Sequence, residues 1–87
     1  MPEIELTKTF EKLYKNLPAE IQRKVNKALR LLAENPRHPS LQTKPIEGAP
    51  GLYEARVDLA YRLTFERAGN ALRIRVVGKH DDVLKKP

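Results

Sequence analysis

Leu52-Tyr53-Glu54-Ala55-Arg56-Val57-Asp58-Leu59-Ala60-Tyr61-Arg62-Leu63-Thr64-Phe65-Glu66 is the stretch that decides the fold. Tyr53, Ala55 and Val57 alternate with Glu54, Arg56 and Asp58, and Tyr61, Leu63 and Phe65 alternate with Arg62, Thr64 and Glu66. A period of two with one apolar set is the mark of a half-buried strand, so the stretch predicts two strands joined by a short turn around Leu59-Ala60.

Downstream, Ala68-Gly69-Asn70 is a second turn signal, and Leu72, Ile74 and Val76 then alternate with Arg73 and Arg75 in a third strand. Upstream the period changes. Phe10, Leu13 and Tyr14 recur at helical spacing between Lys8 and Asn16, and Leu17-Pro18 breaks the pattern because proline disfavours helical geometry in the residue before it. Pro18 suits the first turn of a second helix, whose apolar stripe is Ile21, Val25, Ala28, Leu29 and Leu32. Its other face carries Arg23, Lys24, Lys27 and Arg30, and Asn35-Pro36 ends it. At the start of the chain, Ile4 and Leu6 alternate with Glu3 and Glu5 as a short first strand, with Thr7 placed to cap the helix that follows.

The order is therefore strand, helical hairpin, three-stranded antiparallel meander: an α+β fold with the helices on one face of an antiparallel sheet and the other face largely open. Residues 1–87 fit one domain with room for one core and one site. No segment approaches a signal peptide or a membrane span, and there is no cysteine to form a disulfide, a thiolate nucleophile or a thiolate zinc site. A cytoplasmic home without membrane partners is the expectation.

Seventeen Lys and Arg face 11 Asp and Glu, a net charge of +6, which makes nucleic acid the first partner to consider and an acidic protein the second. If the apolar residues of the meander point at the helices, Glu54, Arg56, Arg62, Thr64, Arg73 and Arg75 share the opposite face. Such a face is either a solvated surface of cross-strand ion pairs or a phosphate-binding one, and the planar fork of arginine suits phosphate. Gly78-Lys79-His80-Asp81-Asp82, closing the last strand, is the most site-like cluster. His80 is suited to proton transfer beside a phosphate, with Asp81 or Glu54 orienting the ring. His38, in the loop from Arg37 to Ser40, reads as a solvated turn residue. Two histidines so far apart make no metal site, and no P-loop, dinucleotide fingerprint or G-x-S-x-G elbow occurs, so neither metal nor cofactor is expected.

Leu17-Pro18 before a basic helix, His38-Pro39-Ser40-Leu41, Lys44, Gly51-Leu52-Tyr53-Glu54-Ala55-Arg56-Val57, Tyr61-Arg62-Leu63-Thr64-Phe65 and Val77-Gly78-Lys79-His80-Asp81 together resemble the RelE/ParE superfamily of toxin-antitoxin toxins, from about Glu3 to Leu84. The resemblance implies a ribosome-dependent endoribonuclease that cuts messenger RNA without a metal, by attack of the ribose 2′-hydroxyl on the adjacent phosphate. It further implies a cognate antitoxin as partner, with operator DNA bound through their complex. By position, Arg62 matches a phosphate-facing arginine, Lys44 and Arg56 match basic positions lining the site, and His80 matches an acid or base of some members; Glu54 would orient a group or accept a proton. Arg73, Arg75, Lys79, Lys24 and Lys27 would bind nucleic acid. Many members carry a C-terminal aromatic where this chain has Val83-Leu84-Lys85-Lys86-Pro87. The alternatives are a ParE-like inhibitor of DNA gyrase, or a protein that has lost catalysis and only binds its antitoxin.

Overall fold

The chain begins as strand β1 (Glu3–Leu6) and turns at Thr7 into helix α1 (Lys8–Lys15) in the computed structural model, which describes residues 2–87. The Thr7 hydroxyl accepts the Phe10 amide at 3.1 Å, satisfying one of the free donors at the helix start, and donates to the Ile74 carbonyl at 2.8 Å. One side chain thus caps the helix and fastens it to the far end of the chain. Helix α2 (Ala19–Glu34) starts directly after Pro18 and stops at Asn35, which is extended at φ −160° ahead of Pro36. Its expected stripe faces inward: Val25, Ala28 and Leu32 are buried, and Ile21 and Leu29 pack against the core from its margin.

A 3-10 turn (Pro39–Leu41), a two-residue strand β2 (Lys44–Pro45), strands β3 (Leu52–Arg56), β4 (Tyr61–Ala68) and β5 (Ala71–Lys79), and helix α3 (His80–Lys85) complete the chain. The strands lie in the order β1-β5-β4-β3-β2. The β4–β5 hairpin turns on Gly69 at φ +62°, the conformation that a glycine-first two-residue turn requires. Ala55, Leu63, Phe65, Leu72, Ile74 and Val77 meet Phe10, Val25, Ala28, Leu32 and Leu41 in one core.

The expected α+β fold is present, with four departures. First, the sheet is mixed, because β1 runs parallel to β5, from Glu3 opposite Ala71 to Leu6 opposite Ile74. Alternation is the same in both directions and does not reveal polarity, whereas a parallel pair needs a long crossover, supplied here by everything from Thr7 to Asn70. Second, the β4–β5 register slips: Thr64 pairs with Val76 but Phe65 pairs with Ile74, leaving Arg75 as an extra residue in a bulge. One added residue swaps faces, so Val77 enters the core and Val76, expected there, lies opposite Thr64 on the second face.

Third, β2 is too short for any alternation to mark it. Fourth, the second face is covered in part. Helix α3 packs on β4 and β5, Val83 is buried over Gly78, and the Pro87 main-chain oxygen accepts hydrogen bonds from Thr64 Oγ1 (3.0 Å) and Arg75 Nε (3.1 Å). Among the described residues no helix is long and apolar enough to cross a membrane.

Candidate functional site

The turn between β3 and β4 is built by Asp58. Its Oδ1 accepts the amides of Ala60 (2.9 Å) and Tyr61 (2.8 Å), and its Oδ2 lies 3.2 Å from Lys24 Nζ on α2. Burial pushes the Asp58 carboxyl up, yet the Tyr61 and Ala60 amides, with Lys24, outweigh it and leave the group below its ordinary pKa. Arg62 holds the same turn from the sheet side. Its Nη1 donates to the carbonyls of Asp58 and Tyr61 and, more weakly, Leu59, while Nε lies 3.7 Å from Glu54 Oε1.

The far end of β5 arrives at this turn too. Gly78 is the register partner of Arg62, and the His80 amide donates to the Ala60 carbonyl at 2.8 Å, so α3 starts against the turn. The His80 ring is 40% exposed, with Nδ1 3.3 Å from Asp81 Oδ1. Leu59, Ala60, Arg62, Lys79, His80, Asp81 and Asp82 enclose an open depression of about 450 Å³. A half-exposed imidazole, an ammonium and an arginine on one concavity can hold a phosphate and move a proton beside it.

The sheet register sorts the remaining expected residues. Lys44, Glu54, Thr64 and Val76 form one cross-strand row, and Arg56, Arg62 and Gly78 form the next, on the same face. Arg56 therefore sits directly opposite another cation, an arrangement that costs a few tenths of a kcal/mol in a sheet, and it forms no ion pair among the described residues. Glu54 is buried against Arg62 and not beside His80; Asp81 takes that place. Arg73 and Arg75 lie elsewhere, with Glu66 Oε1 at 3.2 and 3.3 Å respectively and Glu5 3.9 Å from Arg73. They are cross-strand ion pairs, compensated by carboxylates. Lys24 and Lys27 line a groove on the α2 side, and Arg56 and Asp58 line it with them.

Two contributors escape a reading of the sequence. The main-chain oxygens of the Asp58–Tyr61 turn hold Arg62, and an Asp two residues before the amide it accepts is the available signal. The Pro87 oxygen on Thr64 and Arg75 has no side chain to announce it. No group of three or more His, Asp or Glu among the described residues is arranged to hold a metal.

No protein-family model matches the sequence, and no curated protein does. Solved structures match closely in shape. YafQ from E. coli strain BL21(DE3) superposes with a TM-score of 0.78 at 20% identity, covering 95% of this chain and 98% of that one. The chain has the RelE-like toxin fold. A YoeB/ParE toxin from Agrobacterium tumefaciens gives 0.75 at 17% identity over 90% and 98% of the two chains. A chain of the RelB-RelE antitoxin-toxin complex from Methanococcus jannaschii gives 0.70 at 23% identity over 95% and 99%. The RelE-like fold is thus matched over nearly the full length of both partners in each comparison. Within it, the depression beside His80 lies where the β3–β4 turn, the end of β5 and the start of α3 converge.

Proposed function

We propose that this chain is the toxin of a toxin-antitoxin pair and acts as a ribosome-dependent endoribonuclease on messenger RNA. The observation that carries the reading is the convergence of His80, Arg62 and Lys79 on one depression although Arg62 and His80 come from different elements. RelE-like neighbours of known structure, the E. coli DinJ-YafQ and M. jannaschii RelB-RelE assemblies, are toxin-antitoxin complexes, which supports an antitoxin as partner; operator DNA bound through that complex belongs to the same proposal.

The reaction is an internal displacement. The ribose 2′-hydroxyl loses its proton, its oxygen bonds the adjacent phosphorus, the bond to the 5′-oxygen breaks, and a proton goes to that oxygen, leaving a cyclic phosphate and a 5′-hydroxyl. His80 carries a proton at one end of this displacement, as base to the 2′-hydroxyl or acid to the 5′-oxygen, with Nδ1 held near Asp81 and Nε2 turned to substrate. Lys79 and the guanidinium of Arg62 stabilise the charge that gathers on the phosphate, and Glu54 acts by holding Arg62. Lys44 and Arg56, on adjacent rows of the same face, guide the strand toward it. Phosphate contacts of this kind carry little sequence information, so base preference would come from how the ribosome presents the codon.

A defined message translated in vitro and mapped by primer extension tests the reading. Wild-type protein is expected to cut ribosome-bound message, and His80→Ala to cut at least about 100-fold more slowly. A second reading has its own observation: Arg62 is occupied by turn carbonyls and Glu54, as a purely structural arginine would be. In that case the chain is a ParE-like gyrase inhibitor or an antitoxin-binding protein without catalysis. It is the reading to adopt if no cuts appear while antitoxin binding is undiminished, and a gyrase supercoiling assay separates its two forms.

A further inference from the structure

Where the edge strand β2 meets the 3-10 turn, a depression of about 560 Å³ is walled in part by Arg37, His38, Lys44, Tyr53 and Arg67. Its size falls within the ~300–1,000 Å³ of small-ligand sites. None of Arg62, Lys79 or His80 lines it.

Four cations elsewhere in the chain are held by carboxylates. Lys24 has Asp58, Arg62 has Glu54, and Arg73 and Arg75 share Glu66. Arg37 and Arg67 form no ion pair among the described residues, and they come from separate segments to one cavity, which Lys44 borders at the sheet edge. Cations gathered without carboxylates raise the local concentration of anions, and two guanidinium forks suit phosphate oxygens. His38 adds a ring nitrogen. Its Nδ1 accepts the Ser40 amide at 3.2 Å, so in the neutral ring the proton sits on Nε2.

The apolar part of the wall is aromatic. Tyr53 stacks on the buried Phe65 with centroids 5.6 Å apart and planes 19° from parallel, which fixes the Tyr53 ring while leaving it half-buried at the cavity. An acidic peptide would use the cations and find no role for a flat, fixed ring; a nucleotide uses both. We propose that this depression binds one nucleotide of single-stranded RNA, its phosphate between Arg37 and Arg67 and its base against Tyr53.

The proposal rests on RNA as the ligand, as in the functional reading above, and not on cleavage. Lys44 connects the two places, since it belongs to the row beside Arg56 and Arg62, with β2 two strands, about 10 Å, from β4.

The test is fluorescence anisotropy with a fluorescein-labelled single-stranded RNA hexamer, in the His80→Ala background so that the probe survives. Arg37 and Arg67 are exposed, so the double variant Arg37→Ala/Arg67→Ala spares the core. Lys12→Ala/Lys15→Ala, exposed on α1, is the charge-matched control. The double variant is expected to bind about tenfold more weakly than the control, with the salt slope of log affinity reduced by about 1.4, two phosphate contacts at ~0.7 each on a single strand. Tyr53→Leu is expected to weaken binding about tenfold with the slope unchanged. Binding by the double variant within twofold of the control, or no salt-sensitive binding by the parent, overturns the site. Message cleavage lost in His80→Ala alongside such a result leaves the nuclease standing without the groove; groove-dependent binding with no cleavage by wild type leaves the groove standing without the nuclease.

Discussion

Asp58 and Arg62 hold one turn from opposite sides, and their loss has consequences that His80 does not share. Asp58→Ala frees two amides and strands Lys24, and is expected to cost about 1–2 kcal/mol in urea denaturation at neutral pH. The folded carboxyl has the lower pKa, so the unfolded chain binds more protons in acid and the contribution of Asp58 is complete above the unfolded value of about 3.9. It is lost as pH falls through the folded value, and the gap between wild type and variant should close there. Arg62→Ala should lower stability by about 1–3 kcal/mol as well as cleavage, since it leaves Glu54 buried without its partner. His80→Ala, with a half-exposed ring, should slow cutting at least about 100-fold while leaving the melting temperature within about a degree or two of wild type, on the order expected for a surface change. Parallel melts and cleavage assays on the two variants separate a group that holds the site from one that acts in it.

At the scale of elements, the bulge at Arg75 decides which valine is structural. Val77→Ala removes a buried side chain and should cost about 2–3 kcal/mol, whereas Val76→Ala, on the second face, should cost less than about 1. Equal losses measured by chemical denaturation would contradict the register. The helices and the three long strands were legible because each buries one face, and a buried face imposes its period on the residues. The bulge was not, since an extra residue changes no composition; the adjacent Val76 and Val77 are its only trace. Helix α3 follows β5 directly, so the cluster from Gly78 to Asp82 read as the close of a strand and its helix was not expected. The site was half legible for the same reason. His80 and Arg62 stood out by residue type, and the pairing of Gly78 with Arg62 joins them, but Arg73 and Arg75 carried the same pattern to the opposite end of the sheet, where Glu66 claims both.

For the whole molecule, charge is arranged by compensation. Carboxylates on β1 and β4 hold the β5 cations near β1, while Arg37, Lys44 and Arg67 at the β2 edge form no ion pair among the described residues. Stability is arranged by closure. Strand β1 joins the sheet only through β5, and Ile4→Ala should cost about 1–2 kcal/mol, less than a fully buried isoleucine. Because that pairing is the longest-range contact in the fold, the loss should appear as faster unfolding with folding unchanged in stopped-flow measurements. The Thr7 hydroxyl bond to Ile74 spans 67 residues. At about 5–20 residues per second of synthesis, the first strand therefore waits roughly 3–13 seconds for its neighbour to be made. During that interval the newborn chain has neither a finished sheet nor the end of β5 that brings His80 to its turn, so the depression beside His80 takes shape only once β5 has been made.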